Sequence, residues 1–218
     1  MFMIKSRNNY ITRYLTFFIG IVFMALGITL TTKADLGTTP ITSLPYVASL
    51  GFTPSLGAFT VILNLVLVAI QVLVMRKKFP PLQFLQIPVS LLFGLLIDFW
   101  MSIVPDPVLH SYSYKLLFLF SGTLILAFGV FVEVSADVVM MAGEGAVMVM
   151  SLVSQRDFGL LKSIFDVTMV VLAGALSFIL FHELKGIREG TVFSAVFVGI
   201  IVKFFFALKN KIGKKPVV

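Results

Sequence analysis

Six stretches of this sequence, residues 14–32, 56–75, 81–104, 115–134, 158–182 and 190–208, are apolar over roughly the 20 residues that a helix needs to cross a hydrocarbon core. No other feature limits the fold as strongly. In lipid every backbone amide must find its partner within the chain, so runs of this length form helices. The expected class is all-α, a polytopic helical membrane protein in which residues 1–218 form a single membrane domain. Charge supports this: 12% of the residues are charged, against about a quarter in a soluble domain. The first run follows Lys5, Arg7 and Arg13 as in a signal peptide, but residues 14–30 are long for one. They end in Thr31-Thr32-Lys33 without a small-residue cleavage site, so a retained first helix is expected.

The net charge of +7 could point to nucleic acid. The basic residues, however, flank the apolar runs at both termini and in one loop, which is a topology signal rather than a binding patch. No nucleic-acid partner is expected; the lipid bilayer is. The absence of cysteine removes thiol catalysis, disulfides and Cys-ligated metal. No Walker loop, nucleophile elbow or His-rich motif occurs, so neither an enzyme nor a cofactor is expected, and no metal site is assigned.

Two further apolar segments, 36–51 and 138–153, are short for a span. The first contains Gly37, Pro40 and Pro45, and the second Gly143-Glu144-Gly145. Backbone of this kind is tolerated at membrane depth only where protein or water covers it. The chain also repeats with a shift of 102 residues. Gly20 falls on Gly122, Ala25 on Ala127, Gly27 on Gly129, Ala34-Asp35 on Ala136-Asp137, Ser49 on Ser151, Gly57 on Gly159 and Asn64 on Asp166. Three extra residues then bring Gly94 onto Gly199 and Phe99 onto Phe204. Each repeat, 14–104 and 115–208, has three spanning helices plus one short broken or re-entrant helix.

If the short segments cross, the halves lie parallel; if they re-enter, the halves are inverted. Six crossings place eleven basic residues inside and four outside: Arg13, Arg76, Lys77, Lys78, Arg156, Lys209 and Lys211 join Lys5, Arg7, Lys214 and Lys215, against Lys33, Lys115, Lys185 and Arg188. Eight crossings give nine against six. The positive-inside rule favours six, inverted repeats and both termini in the cytoplasm. Residues 15–100 and 117–205 are then expected to superpose about a pseudo-two-fold axis in the membrane plane.

Three strings of the second half are distinctive: residues 136–145 (Ala-Asp-Val-Val-Met-Met-Ala-Gly-Glu-Gly), Lys162 with Phe165-Asp166, and Arg188-Glu189-Gly190-Thr191. Together they resemble the YczE/YitT group of small bacterial membrane proteins, and its YczE-like branch most closely. The resemblance covers nearly the whole chain, in the first half through the glycines, Ala-Asp and Leu-Gly-Thr-Thr-Pro. It implies a protein of the bacterial cytoplasmic membrane and names no substrate.

Ionisable residues within apolar segments are costly and line cavities or pair with one another. Here they are Asp35, Asp98, Glu133, Asp137, Glu144, Lys162, Asp166 and Lys203. Lys162 and Asp166, four apart, share a helix face; they form either an internal ion pair or part of a cavity, and Thr60 and Asn64 hold the equivalent places. Glu144, between two glycines, suits a cation or proton site in a discontinuous helix, or else an ordinary helix N-terminus. Asp35 and Asp137 match in position and could be N-caps. Arg188-Glu189-Gly190-Thr191 could simply cap the last helix, and Lys203 could snorkel. The methionines 140, 141, 148 and 150 fit adaptable packing better than soft-metal transport.

The expected function is a membrane transport protein for a small, cationic solute or ion. Its midplane site would lie between the repeats, drawing on Glu144, Asp166, Lys162, Asn64, Asp137 and Asp35. Glu144 and Asp166 should face one cavity with Lys162 close by, leaving one acid to carry a proton or hold a cation. The alternative is a non-transporting membrane protein that binds and regulates a partner. A homo-oligomer is compatible with either.

Overall fold

The computed structural model describes residues 10–106 and 112–213. Lys5, Arg7, His110, Lys214 and Lys215 lie outside the described residues. The described chain is all-α: α1 (Tyr10–Lys33), α2 (Pro40–Gly51), α3 (Leu56–Met75), α4 (Gln86–Ile103), α5 (Tyr112–Ala136), α6 (Ala142–Ser154), α7 (Phe158–Phe181) and α8 (Glu189–Gly213). Two short 3-10 turns, Arg76–Lys78 and Pro81–Leu85, join α3 to α4. Six helices are long and apolar enough to cross a membrane, and their outward faces carry exposed Ile62, Leu73, Val167, Ile179, Val192 and Phe204. An apolar exterior of this kind suits lipid and would be a liability in water. The chain is a multi-pass helical membrane protein.

Local chemistry sets the element ends. Asp35 and Asp137 close α1 and α5 in the left-handed conformation, φ 54° and 51°, which Asp tolerates better than most side chains. They are therefore helix stops and not the N-caps that their sequence position suggests. Pro40 opens α2 at a position whose amide would be unpaired anyway. Ser55 and Asp157 cap α3 and α7, accepting from the amides of Ala58 and Leu160 at 3.1 and 3.0 Å. The helix starts keep the sequence shift: 10, 40 and 56 become 112, 142 and 158, each 102 later.

The centre of the bundle is the α1–α5 seam. A Cβ on Gly20 would meet Glu133 backbone, on Gly27 Leu126, on Gly129 Met24 and on Gly122 Thr31, all within 2.9 Å. Each pair of numbers sums to 153, so α1 and α5 run antiparallel. The glycines let the two backbones approach closely, as small residues do between membrane helices. Phe17, Ile21, Met24 and Ile28 of α1, Phe93 and Ile97 of α4 and Leu126 of α5 pack around this seam. A second cluster joins Leu67 and Val68 of α3, Ala146 and Val147 of α6, and Phe165 and Met169 of α7.

The two short helices fall short of a membrane span. At 12 and 13 residues they are about 18–20 Å long, well below the roughly 30 Å of a hydrocarbon core. Lys33 at the end of α1, Ser49 and Leu50 at the end of α2, and Leu56 at the start of α3 line one depression. Residues 34–55 thus leave one end of the bundle and return to it. At the other end Arg13 pairs with Asp137 at 3.1 Å, and Phe158, Val72 and Ile87 all pack against the second cluster. The starts of α2 and α6 meet inside: a Cβ on Gly143 would lie 2.3 Å from Ile41 Cδ1.

Candidate functional site

A cavity of about 700 Å³ lies where the two short helices meet. Thr42 of α2, Thr60 and Asn64 of α3, Glu133 of α5 and Asp137 just beyond its end, Glu144 of α6, Lys162 and Asp166 of α7, and Ser194 of α8 all line it. Five of the six expected site residues are therefore brought together: Glu144, Asp166, Lys162, Asn64 and Asp137. Asp35 is not. It terminates α1, which is antiparallel to α5, so Asp35 and Asp137 sit at opposite ends of the bundle. There Asp35 pairs with Lys115 at 2.6 Å and with Arg188 at 3.7 Å.

Glu144 stands in the first turn of α6, whose N-cap is Met141. Its flanking glycines do not break the helix, as their spacing suggests; both lie within it, and the irregular backbone is at residues 137–141. Bulk is what they avoid: Gly143 faces Ile41, and a Cβ on Gly145 would lie 2.7 Å from Gln71 Oε1 and 2.9 Å from Gln86 Nε2. Those two amides bond each other at 3.0 and 3.2 Å, and Gln71 donates to the Ala142 carbonyl at 3.1 Å. This buried amide lock fixes the start of α6, and with it the carboxyl of Glu144. The helix N-terminus adds a favourable partial charge behind that acid.

Lys162 forms an ion pair with Asp166 on the same face of α7, and it is the one basic residue lining the cavity among the described residues. Among the described residues Glu144 has no ion-pair partner. Nor does Glu133, which is 5% exposed. Glu133 was the least legible of these groups: it sits inside an apolar helix, opposite Thr31 in the repeat. Its one sequence signal is that it is an acid interior to a spanning run. Asp98, by contrast, is absorbed structurally, accepting from Ser55 Oγ at 2.6 Å and the Gly57 amide at 2.8 Å. Lys203 is exposed on α8. Arg188-Glu189-Gly190-Thr191 docks α8 on the α1–α2 loop: Arg188 donates to the Asp35 carbonyl at 3.1 Å and Gly190 N to Leu36 O at 2.7 Å.

Chemically the cavity offers, among the described residues, two carboxyl groups without an ion-pair partner, two that are paired (Asp166 with Lys162, Asp137 with Arg13), and hydroxyl and amide groups within otherwise apolar walls. Among the described residues no three His, Asp or Glu side chains cluster as a metal site would require.

The sequence is 30% identical over 118 residues to "Uncharacterized protein YyaS" of Bacillus subtilis (strain 168), covering 54% of this chain and 57% of that relative. The chain thus spans little more than half of that relative's length. No solved structure matches it. A family model described as "Family of unknown function (DUF6198)" matches residues 11–207, nearly all of the two repeats. The chain belongs to this DUF6198 family.

Proposed function

We propose that the protein transports a small cationic solute or ion across the bacterial cytoplasmic membrane, binding it in the cavity between two inverted repeats. The observation that carries this reading is the pair of carboxyl groups, Glu133 and Glu144, that line one internal cavity without an ion-pair partner. A carboxylate at bilayer depth costs about 2.5–3.5 kcal/mol on insertion scales. It is retained where a cation or proton can answer it, and among the described residues neither acid has an ion-pair partner.

The inverted arrangement draws support from reciprocity. If a two-fold axis exchanges the halves, a contact between i and j recurs between j−102 and i+102. Gly20 on Glu133 with Thr31 on Gly122, and Gly27 on Leu126 with Met24 on Gly129, fit this as any antiparallel pairing in that register must, so the weight rests on the contacts outside the seam. The ion pair Arg13–Asp137 implies Lys115–Asp35, also found. Ile41 on Gly143 maps onto itself, as a contact on the axis must. Because α1 and α5 are equivalent and antiparallel, such an axis lies in the membrane plane, the symmetry of many secondary transporters. The end bearing Arg76, Lys77, Lys78 and Arg156 is assigned to the cytoplasm by its basic residues. The kinship to the YczE/YitT group read from the second-half strings is retained as part of this proposal.

A non-transporting regulator would keep its polar groups as glue between helices, with its acids paired and its interior filled. The open cavity and the two unpartnered acids favour transport. The test is a thermal-shift series on purified protein with sodium, ammonium and alkylammonium salts at constant ionic strength. A cation-specific rise in midpoint is expected, and it should vanish in Glu144→Gln, which keeps shape while removing charge and should unfold at the same temperature without ligand. No rise with any cation, or an equal rise in Glu144→Gln, refutes the assignment.

A further inference from the structure

We infer that the ligand of this cavity is an organic cation with an apolar body, and that it enters sideways from the bilayer between α7 and α8. This rests on the transport reading and names its substrate class.

The walls argue for the body of the ligand. About 700 Å³ is far more room than a bare ion needs and lies within the range of pockets for drug-sized molecules. Most of that wall is apolar, with Met24, Met141, Met148, Phe93 and Phe158 contributing. Methionine walls re-pack around varied apolar shapes. A small hydrated ion would leave this surface without a role, and the described residues hold no cluster of three metal-ligating groups.

The charges argue for the sign. Lys162 is spent on Asp166. Glu133, 95% buried by its 5% exposure, points into the cavity with no hydrogen-bond partner among the described residues, and Glu144 faces it from α6. A cation placed between them would be answered from two elements at once, in a setting where water competes little.

The route comes from a difference between the halves. In the first repeat α3 and α4 are sealed: a Cβ on Gly57 would lie 2.1 Å from the Gly94 carbonyl, and one on Gly94 would lie 2.7 Å from the Gly57 carbonyl. Their equivalents Gly159 and Gly199 do not meet. Gly199 has nothing within 4 Å, and Gly159 has only its neighbour Asp157. Ser163 of α7 and Ala195 and Gly199 of α8 are exposed and also line the cavity. They therefore form the rim of an opening. All three lie within spanning helices, so the opening faces acyl chains rather than water. A hydrophilic ion would have to enter lipid to use it, whereas an amphipathic cation already concentrates in the membrane.

The experiment measures tetraphenylphosphonium and methylammonium binding to the protein in lipid nanodiscs, against empty nanodiscs. Saturable tetraphenylphosphonium binding is expected. Glu133→Gln and Glu144→Gln should each weaken it by at least about tenfold, the loss of one charge-assisted contact. Gly199→Phe, placed where nothing stands within 4 Å, should slow association while leaving both acids in place. Thermal midpoints confirm folding; if one Gln variant fails to fold, the other carries the test. Methylammonium binding without tetraphenylphosphonium binding overturns this inference and leaves the transport reading standing. Binding of neither overturns both. Tetraphenylphosphonium binding unaffected by either Gln variant overturns the site, and unchanged association in Gly199→Phe overturns the lateral route.

Discussion

Adding one methyl group to the α1–α5 seam tests the register on which the whole architecture depends. In Gly27→Ala the new Cβ would lie 2.5 Å from the backbone nitrogen of Leu126 and 2.6 Å from its Cα. Ordinary contact begins at 3.4 Å, so the helices must separate by 3.4 − 2.5 = 0.9 Å. Neither neighbour is the flexible tip of a side chain; both belong to a helix backbone. Overpacking of this kind costs about 1–3 kcal/mol. Gly129→Ala meets Met24 N at 2.6 Å in the adjacent layer of the same seam, so its cost should be similar. One separation of the helices relieves both clashes, and the double variant should therefore cost less than the sum of the two. Gly199→Ala is the control: nothing lies within 4 Å, and alanine is the better helix former. Unfolding by SDS in mixed micelles, followed by helicity, measures all four. Gly27→Ala and Gly129→Ala unfolding like the parent would refute the antiparallel register, and with it the reciprocity argument.

Two further outcomes follow from the same geometry. The natural sequence has no cysteine, so Gly159→Cys/Gly199→Cys introduces a unique pair. If the α7–α8 opening closes during turnover as α3–α4 is closed now, oxidation should join the pair and trap bound tetraphenylphosphonium, read as a mobility shift with slowed ligand release. A pair that never joins would make the opening static. Cytoplasmic reporters fused at residue 78 should be active and periplasmic reporters at Asp106 should be active; the reverse pattern would overturn the assigned orientation.

Much of the fold is legible because the bilayer makes a harsh solvent. Six runs near 20 residues must be helices, and segments such as 36–51 and 138–153 are short for a span, with the count of flanking basic residues favouring re-entry. The shift of 102 is readable because Gly20, Gly27, Gly122 and Gly129 each meet the backbone of the opposite helix in a seam that admits no side chain at those positions. What stayed hidden depends on packing between distant elements. Asp35 and Asp137 match in sequence, and only the antiparallel pairing of their helices sends them to opposite ends. The glycines beside Glu144 suggest a break, yet they serve close approach to Ile41 and the Gln71–Gln86 lock. Gly57 and Gly159 are equivalent residues in non-equivalent surroundings, because a sequence records the repeat and not which half is open.

The halves share a skeleton but differ in most of the charge that lines the cavity. Glu133, Glu144, Lys162 and Asp166 of the second repeat fall, by the shift of 102, on Thr31, Thr42, Thr60 and Asn64. Each of these four ionisable groups thus has a neutral hydroxyl or amide as its counterpart, while Asp137 alone keeps its acid, as Asp35. Thr42 is the informative one. It is buried, shares a hydrogen bond of 2.7 Å with Thr39, and lines the same cavity as Glu144. The Ile41–Gly143 contact beside these residues lies on the proposed axis, so positions 42 and 144 are related across it. An acid moved from one to the other stays in the cavity and changes sides. Glu144→Thr should abolish tetraphenylphosphonium binding, and the exchange Thr42→Glu/Glu144→Thr should restore part of it, because the charge returns to a symmetry-related place in a cavity with room for the longer side chain. Restoration cannot be complete: Lys162, Asp166 and Glu133 remain on the other wall, arranged for an acid at 144. An exchange variant that folds like the parent, by thermal midpoint, yet binds no better than Glu144→Thr alone would refute the two-fold relation between the short helices at the site.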